Sequence, residues 1–372
     1  MLPLVTSDLP GTGGVVDAGD RSCEEVLAKK PADTGEHLWL KVSKKDLGTQ
    51  QARAAVARAA AVAVDLISCA GSRDRVGISV QWFSVPAALV ENPGALRRAG
   101  TQGKMRVLEL TASHKPVTEE TVARLRWRVR VRGGNLDGGY HRAKAVVDRL
   151  RRGGVPNFVP LSRFGKEGSF AKWGRMLVQG RRLPGQVMAT GVDEGRCLRA
   201  FQESLFDRYL AKRVEDGALG TCLDGELVAN RLGEVSPVAF RDHVQKRMDS
   251  WEVVPLGPLY GSGMPPCAGE AAERERAVLV DAGAADAEIA KLRGARRAIR
   301  VQPTSVLVDL DGDDVLITCE LPTDAYITVL LDEVVKAPPP GRAAPAGAQP
   351  EHPLDAPLDV ASDDRLDEGV DE

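Results

Sequence analysis

Residues 50–85 read QQARAAVARAAAVAVDLI, then SCAGSRDR, then V and GISVQWFSV. The first run (50–67) is rich in alanine and poor in breakers, and predicts a helix. The last, Gly77-Ile-Ser-Val-Gln-Trp-Phe-Ser-Val85, predicts a strand. Between them, Ser68–Arg75 is a loop holding Asp74 between Arg73 and Arg75. Flanking cations favour an ionised carboxylate, and a loop carried on a rigid sheet is a common place for a catalytic group. Charge alone is equally satisfied by a surface Arg-Asp-Arg cluster.

The surrounding pattern is mixed α/β. Strands are expected at 37–43 (HLWLKVS), at 106–111 (RVLELT) and across 124–132, with a helix at 142–152. In the stretch Arg124-Leu-Arg-Trp-Arg-Val-Arg-Val-Arg132, five arginines alternate with apolar residues, so one face of the strand carries guanidinium groups. Such a face predicts either a solvated sheet surface or an anionic partner, for which a polyphosphate backbone is the obvious candidate. Residues 157–175 gather Phe158, Phe164, Phe170 and Trp173 with Arg163, Lys166, Lys172 and Arg175. That combination suits base stacking and phosphate tracking. Leu198, Phe201, Leu205, Phe206, Tyr209 and Leu210 recur at helical spacing. Two strands, 305–310 and 315–321, flank an Asp-Gly-Asp-Asp turn and predict a hairpin; no bidentate glutamate follows at the spacing a calcium loop needs. Gly11-Thr-Gly-Gly14 lacks the lysine of a phosphate loop.

Composition excludes several classes. The 372 residues include 43% hydrophobic ones and carry a net charge of -2. No apolar run is long enough for a membrane span, and the N-terminus lacks the basic and apolar regions of a signal peptide. The six cysteines (23, 69, 197, 222, 267 and 319) form no CxxC pair, and neither they nor the five histidines show zinc-ligand spacing. They read as small buried hydrophobes in a cytoplasmic, metal-free protein. The neutral total hides an asymmetry: residues 337–372 hold nine acids against Arg342 and Arg365, a net of 2 − 9 = −7, which leaves the rest at +5. Residues 338–372, rich in Pro, Ala and Asp, are expected to be disordered.

In this setting the sequence resembles the TruD family of tRNA pseudouridine synthases. The family's G-x-K-D-R-x5-Q pattern is matched by Gly71-Ser72-Arg73-Asp74-Arg75 and Gln81, and its PN-x-FG-x-x-RFG pattern by Pro156-Asn157 and Arg163-Phe164-Gly165. Further matches run in the family's order: Gly35-Glu36-His37-Leu38 with Lys44, Thr49 and Gln50; Gly257-Pro258-Leu259-Tyr260-Gly261; Gly294-Ala295-Arg296-Arg297; and Leu321-Pro322 with Tyr326 and Thr328. The resemblance implies a mixed, largely antiparallel sheet domain (1–183 and 290–337) interrupted by a family-specific α/β insertion (184–289). It implies Asp74 as the catalytic carboxylate, with Lys44, Arg73, Arg75, Gln81, Asn157, Phe158, Arg163, Phe164 and Tyr326 at the RNA. It also implies a uridine in the D arm of tRNA as target, flipped from its stack, no cofactor, no DNA or membrane partner, and a monomer.

This chain departs from the family at several points. Val159-Pro160 stands where the family has Phe-Gly, whose phenylalanine packs on the target ring, so Phe158 is the candidate substitute. Arg73 replaces a lysine, Asp324-Ala325 replaces Gly-Ser, the family's strand signature is blurred around 115–130, and no counterpart of its early EDF motif is found. Two functions are therefore carried forward: an active synthase using Asp74, and a degenerate relative that binds structured RNA without isomerising it.

Overall fold

The computed structural model describes residues 2–100 and 103–336, so the acidic stretch expected to be disordered lies outside the described residues. The chain forms two compact units, one of Leu4–Asn157 and Arg300–Ala343 (described to Lys336), the other centred on Phe158–Ile299. In chain order the first unit opens with β1 (Arg21–Leu27), β2 (His37–Lys45), α1 (Thr49–Ala60), β3 (Ser68–Cys69), β4 (Ile78–Pro86) and α2 (Pro93–Arg97). It continues with β5 (Met105–Ser113), β6 (Val122–Val131), α3 (Gly139–Gly153) and β7 (Val155–Pro156). The other unit supplies α4 (Ser169–Val178), α5 (Gly185–Ala189), α6 (Glu194–Glu215), β8 (Leu227–Asn230) and β9 (Val235–Pro237). Its remaining elements are α7 (Arg241–Asp249), β10 (Val253–Leu259), α8 (Gly269–Asp281), α9 (Asp286–Ile289) and β11 (Ala295–Ala298). The chain then returns to the first unit as β12 (Arg300–Val301), β13 (Thr304–Asp311), β14 (Asp314–Pro322) and α10 (Ile327–Val335).

The first unit is built on an eight-stranded sheet ordered β13-β14-β6-β1-β4-β2-β5, with β3 also paired to β4. All its pairings are antiparallel except β1 with β4, which run parallel at the centre for only three residue pairs, Ser22–Ile78 to Glu24–Val80. A separate two-stranded ladder joins β7 to β12, and thereby the start and the return of the interrupted chain. The mixed α/β, largely antiparallel class expected from the sequence is the one observed.

Helix α1 lies on the sheet end formed by β2, β4 and β5. Ala52, Ala55, Val56 and Ala60 enter one core with Leu40, Val42, Phe83, Val85 and Ile67. Small alanines let the helix backbone come close to the strands. The helix is shorter than the 50–67 run predicts. It stops where Ala61 adopts φ 54°, with the Ala61 and Val62 amides bonding back to Arg58 and Ala57 in a Schellman pair. Alanine marks no stop of its own. What turns the chain is Arg53, whose guanidinium donates to the carbonyls of Val64 (3.2 Å) and Ile67 (3.0 Å) and folds a short 3-10 turn back toward β3.

The arginine strand is β6, and its period is as read: Leu125, Trp127, Val129 and Val131 are buried while the arginines face outward. The reading of that face as a phosphate surface is corrected by its neighbours. The register sets Arg126 opposite both Glu24 of β1 and Glu320 of β14, and its guanidinium reaches them at 3.5 and 2.8 Å. Arg130 bonds Asp311 and Asp314, Arg132 bonds Asp17 and Asp20, and Arg124 donates to the carbonyls of Gln302 and Glu320. Four of the five guanidiniums thus find partners within this unit, though the buried Arg124 Nε has none. The Asp-Gly-Asp-Asp turn spends two of its carboxylates on Arg130. Among the described residues no cluster of three potential metal ligands occurs.

The compact units divide at 157/158 and 299/300, against boundaries of 183/184 and 289/290 expected from sequence. Helix α4 is the physical reason. A Cβ on Gly174 would meet the Cys197 carbonyl oxygen at 2.0 Å, so α4 and α6 touch backbone to backbone and residues 158–183 pack with α6. The second unit also holds a four-stranded sheet, β11-β10-β8-β9. All six cysteines are free thiols; Cys23, Cys197, Cys222 and Cys319 are buried, and Cys69 and Cys267 half-buried. No helix among the described residues is long and apolar enough to cross a membrane.

Candidate active site

Asp74 sits on the exposed loop between β3 and β4, as the sequence predicts, with Arg75 exposed beside it. The loop is held from beneath by buried polar side chains. Thr49, the first residue of α1, accepts the Arg73 amide on its hydroxyl at 3.0 Å and donates that hydroxyl to Gln81 Oε1 at 3.1 Å. Gln81, fully buried on β4, donates Nε2 to the Gly71 carbonyl at 2.9 Å. Lys44, 1% exposed near the end of β2, donates Nζ to the carbonyls of Leu47 (3.0 Å) and Asp74 itself (3.4 Å). Gly71 takes φ +76°, a conformation an L side chain rarely adopts. Residues 71, 73 and 74 are therefore each fixed by a group the sheet or α1 supplies.

A charged layer lies under the brace. Glu25 of β1 is 3% exposed and its Oε1 lies 2.9 Å from an Arg73 terminal nitrogen, while Oε2 accepts the Trp82 amide at 2.7 Å. The reason for the second bond is topological: parallel β1–β4 pairing ends at Val80, and the carboxylate takes over at Trp82 where the ladder stops. Burial pushes the Glu25 carboxyl up to about 7, against the pull of Arg73. Burial also lowers the Lys44 ammonium from its ordinary range, with the charges of Glu25 and Asp74 opposing that shift. The sequence offered no sign of Glu25 beyond one of two adjacent glutamates.

Asn157 and Tyr326 belong to the same unit. Asn157 follows β7 and is 1% exposed; its Nδ2 donates to Asp324 Oδ2 at 3.4 Å. Asp324 lies in the turn between β14 and α10, and Tyr326 is the residue preceding the first turn of α10. The carboxylate that replaces a smaller residue in the family pattern thus has an amide partner. Phe158, Arg163 and Phe164 fall in the other unit. Phe158 and Phe164 are 1% and 0% exposed and serve as core, and Arg163 is exposed. Val159 is fully buried too, its amide donating at 3.0 Å to Asp207, whose buried carboxyl is raised far above the ordinary range by desolvation. Phe158 as the substitute for the family's ring-packing phenylalanine consequently presents no open face here.

The family model for tRNA pseudouridine synthase D (TruD) matches residues 2–183 and 197–334. The chain belongs to the TruD family. A tRNA pseudouridine synthase D of Anaeromyxobacter dehalogenans is 34% identical over 345 residues, 90% of this chain and 96% of that one. A second, from Stutzerimonas stutzeri, is 31% identical over 326 residues, 86% of this chain and 91% of its own. The fold matches the crystal structure of a putative TruD from Methanosarcina mazei with TM-score 0.69 at 18% identity, covering 89% of this chain and 95% of that chain. TruD is an isomerase family, so the Asp74 loop lies in a protein whose relatives convert uridine to pseudouridine, and no observation favours a degenerate relative.

Proposed function

We propose that this TruD protein isomerises a uridine in the D arm of tRNA to pseudouridine, with Asp74 as the catalytic carboxylate. The observation that carries the reading is the brace: an exposed carboxylate on a loop whose neighbouring backbone groups are pinned by Thr49, Gln81 and Lys44. In the reaction the N1–C1′ bond breaks, the ring turns, a C5–C1′ bond forms, the C5 proton leaves and N1 gains one; nothing is oxidised or reduced. Asp74 acts on the sugar side of the glycosidic bond. Fixing its loop before substrate arrives lowers the reorganisation needed in the transition state.

Lys44, Arg73 and Gln81 then serve as positioning residues for the loop, and Arg75 as a contact to phosphate. Asn157 and Tyr326 serve the flipped nucleotide, Arg163 contacts the RNA, and Phe158 and Phe164 form the core of the segment that carries Arg163. The region 184–289 is read as the family-specific insertion into the catalytic domain. The enzyme works as a monomer on cytoplasmic tRNA, without a cofactor. The test uses unmodified tRNA carrying tritium at uracil C5, with the wild type beside Asp74→Asn. Tritium release by the wild type alone supports the reading; release by both removes Asp74 from the chemistry, and release by neither removes the reaction.

A further inference from the structure

The second unit carries cations of a different kind from those of β6. Between Arg163 and Arg199 there are eight Arg or Lys against Glu167, Asp193 and Glu194. Asp193 is occupied, capping α6 through the Gly195 amide at 2.9 Å. On α6, Arg196, Arg199 and Glu203 follow at intervals of three and four and so share one helix face. The turn Leu161–Phe164, which carries Arg163, packs against α6, and the charges of Arg297, Arg163 and Arg199 all act on Glu203. Glu203 itself is half-buried and its carboxyl is pushed up by desolvation, which weakens it as a counter-charge to these arginines.

One member of the group is already arranged as a stacking platform. The Arg196 guanidinium carbon lies 4.3 Å from the ring centroid of Phe170, and Phe170 in turn meets Trp173 edge-on at 5.6 Å. Phe170 and Trp173 are half-buried and hence fixed, whereas Arg196 is exposed. A planar cation backed by an aromatic ring on one side offers its other side, already oriented, to a second planar group. Guanidinium planes are among the surfaces on which unpaired RNA bases stack.

We infer that this face of the second unit is an RNA-gripping surface, on which an unpaired base of the substrate stacks against the outer side of Arg196 while Arg163 and Arg199 hold adjacent phosphates. A protein partner fits less well, because the face offers an oriented planar cation and further arginines, the pairing that base stacking and phosphate contact require. The inference rests on the tRNA reading above and adds to it the surface by which tRNA is held outside the Asp74 unit.

The experiment measures affinity for unmodified tRNA against salt concentration, and tritium release, for the wild type, Arg196→Ala, Arg196→Lys and Arg199→Gln, each checked by thermal melting. Arg196→Ala is expected to weaken binding about tenfold, the scale of one lost base stack. Arg196→Lys keeps the charge without the plane and is expected to stay weak. Arg199→Gln is expected to lower the salt slope by roughly 0.7–0.9, as one phosphate contact does. Binding by all three variants equal to wild type overturns the surface, and full recovery in Arg196→Lys overturns the stacking. A wild type that releases no tritium defeats the functional reading and leaves the binding data to judge the surface. Its melt checks the lead variant for folding, and Phe170→Leu, which removes only the backing ring, supplies a second route to the same loss.

Discussion

Thr49 is where the brace is most exposed to a single change. Its hydroxyl closes a buried chain from the Arg73 amide to Gln81 Oε1, and Gln81 continues it to the Gly71 carbonyl. Thr49→Val keeps the shape and removes both bonds, leaving the Arg73 N–H and Gln81 Oε1 without their partner. Each buried group so orphaned costs about 1–3 kcal/mol. The two together give about 2–4 kcal/mol once partial relaxation is allowed for, and that cost falls on the loop that presents Asp74. Turnover in the tritium assay is expected to fall by roughly 1.5 to 3 orders of magnitude, with a drop of only a few degrees in melting temperature, because loops open locally before the domain does. Thr49→Ser restores the hydroxyl and most of the activity. In the double variant Thr49→Val with Gln81→Met, the Thr49–Gln81 bond is lost only once and neither of its ends is left orphaned, so the double loses less than the sum of the singles. Wild-type turnover in Thr49→Val, or strict additivity in the double, would refute the brace.

Other outcomes follow from the same geometry. Glu25, raised from 4.5 to about 7 chiefly by burial, holds its proton more tightly folded than unfolded. Its contribution to stability is full below 4.5 and is lost as pH rises toward 7, a swing of about 3 kcal/mol for 2.5 pKa units. Urea unfolding should show the wild type losing that much against Glu25→Gln between pH 4.5 and 7.5; a pH-independent difference would contradict the burial argument. Asp324→Ala removes the bond from the Asn157 carboxamide and is expected to lower turnover about 2- to 12-fold, the worth of one hydrogen bond, while Asp324→Asn keeps an acceptor and most of the rate. Equal rates in Asp324→Ala and wild type would show the contact to be idle. Val159→Phe adds volume at a fully buried position and should cost about 1–3 kcal/mol in thermal or urea unfolding. A faster enzyme with an unchanged melt would show instead that this position opens onto substrate.

The parts of this fold that could be read from sequence are those in which a residue's partner is close in the chain or its period is strict. β6 alternates from Arg124 to Val131, the β13–β14 hairpin turns within its own motif, and the Asp74 loop lies between α1 and β4 with only the two-residue β3 intervening. Lys44, Arg73 and Gln81 were legible as site residues through motif spacing, but not what they do there. Lys44 and Gln81 touch carbonyls, which no sequence pattern records. Glu25 escaped because nothing in Cys23-Glu24-Glu25-Val26 sets one glutamate apart from its neighbour; its signal is the three-residue length of the β1–β4 pairing, a property of the sheet. Asp207 escaped because an aspartate among the apolar positions of α6 looks like a solvent-facing residue until the Val159 amide is found against it.

The arginines make the sharper case. Alternation placed five of them on one sheet face, and mutual repulsion argued for an external anion. The repulsion is real, yet its remedy is internal: Glu24, Glu320, Asp311, Asp314, Asp17 and Asp20 come to that face from strands and turns more than 100 residues away, and all but Arg128 of the row find partners. Composition cannot separate this row from the cations around α6, since both are arginine-rich and both lie near aromatics. Strand pairing separates them. A central strand has two neighbours whose residues stand opposite its own at about 5 Å, so complementary charge can be built in at every step. A helix face turned to solvent has no such register, and among the described residues Arg196 rests on the Phe170 ring. The cations of a sheet interior are therefore poor guides to a polyanion site, and those of an exposed helix beside a fixed aromatic are better ones.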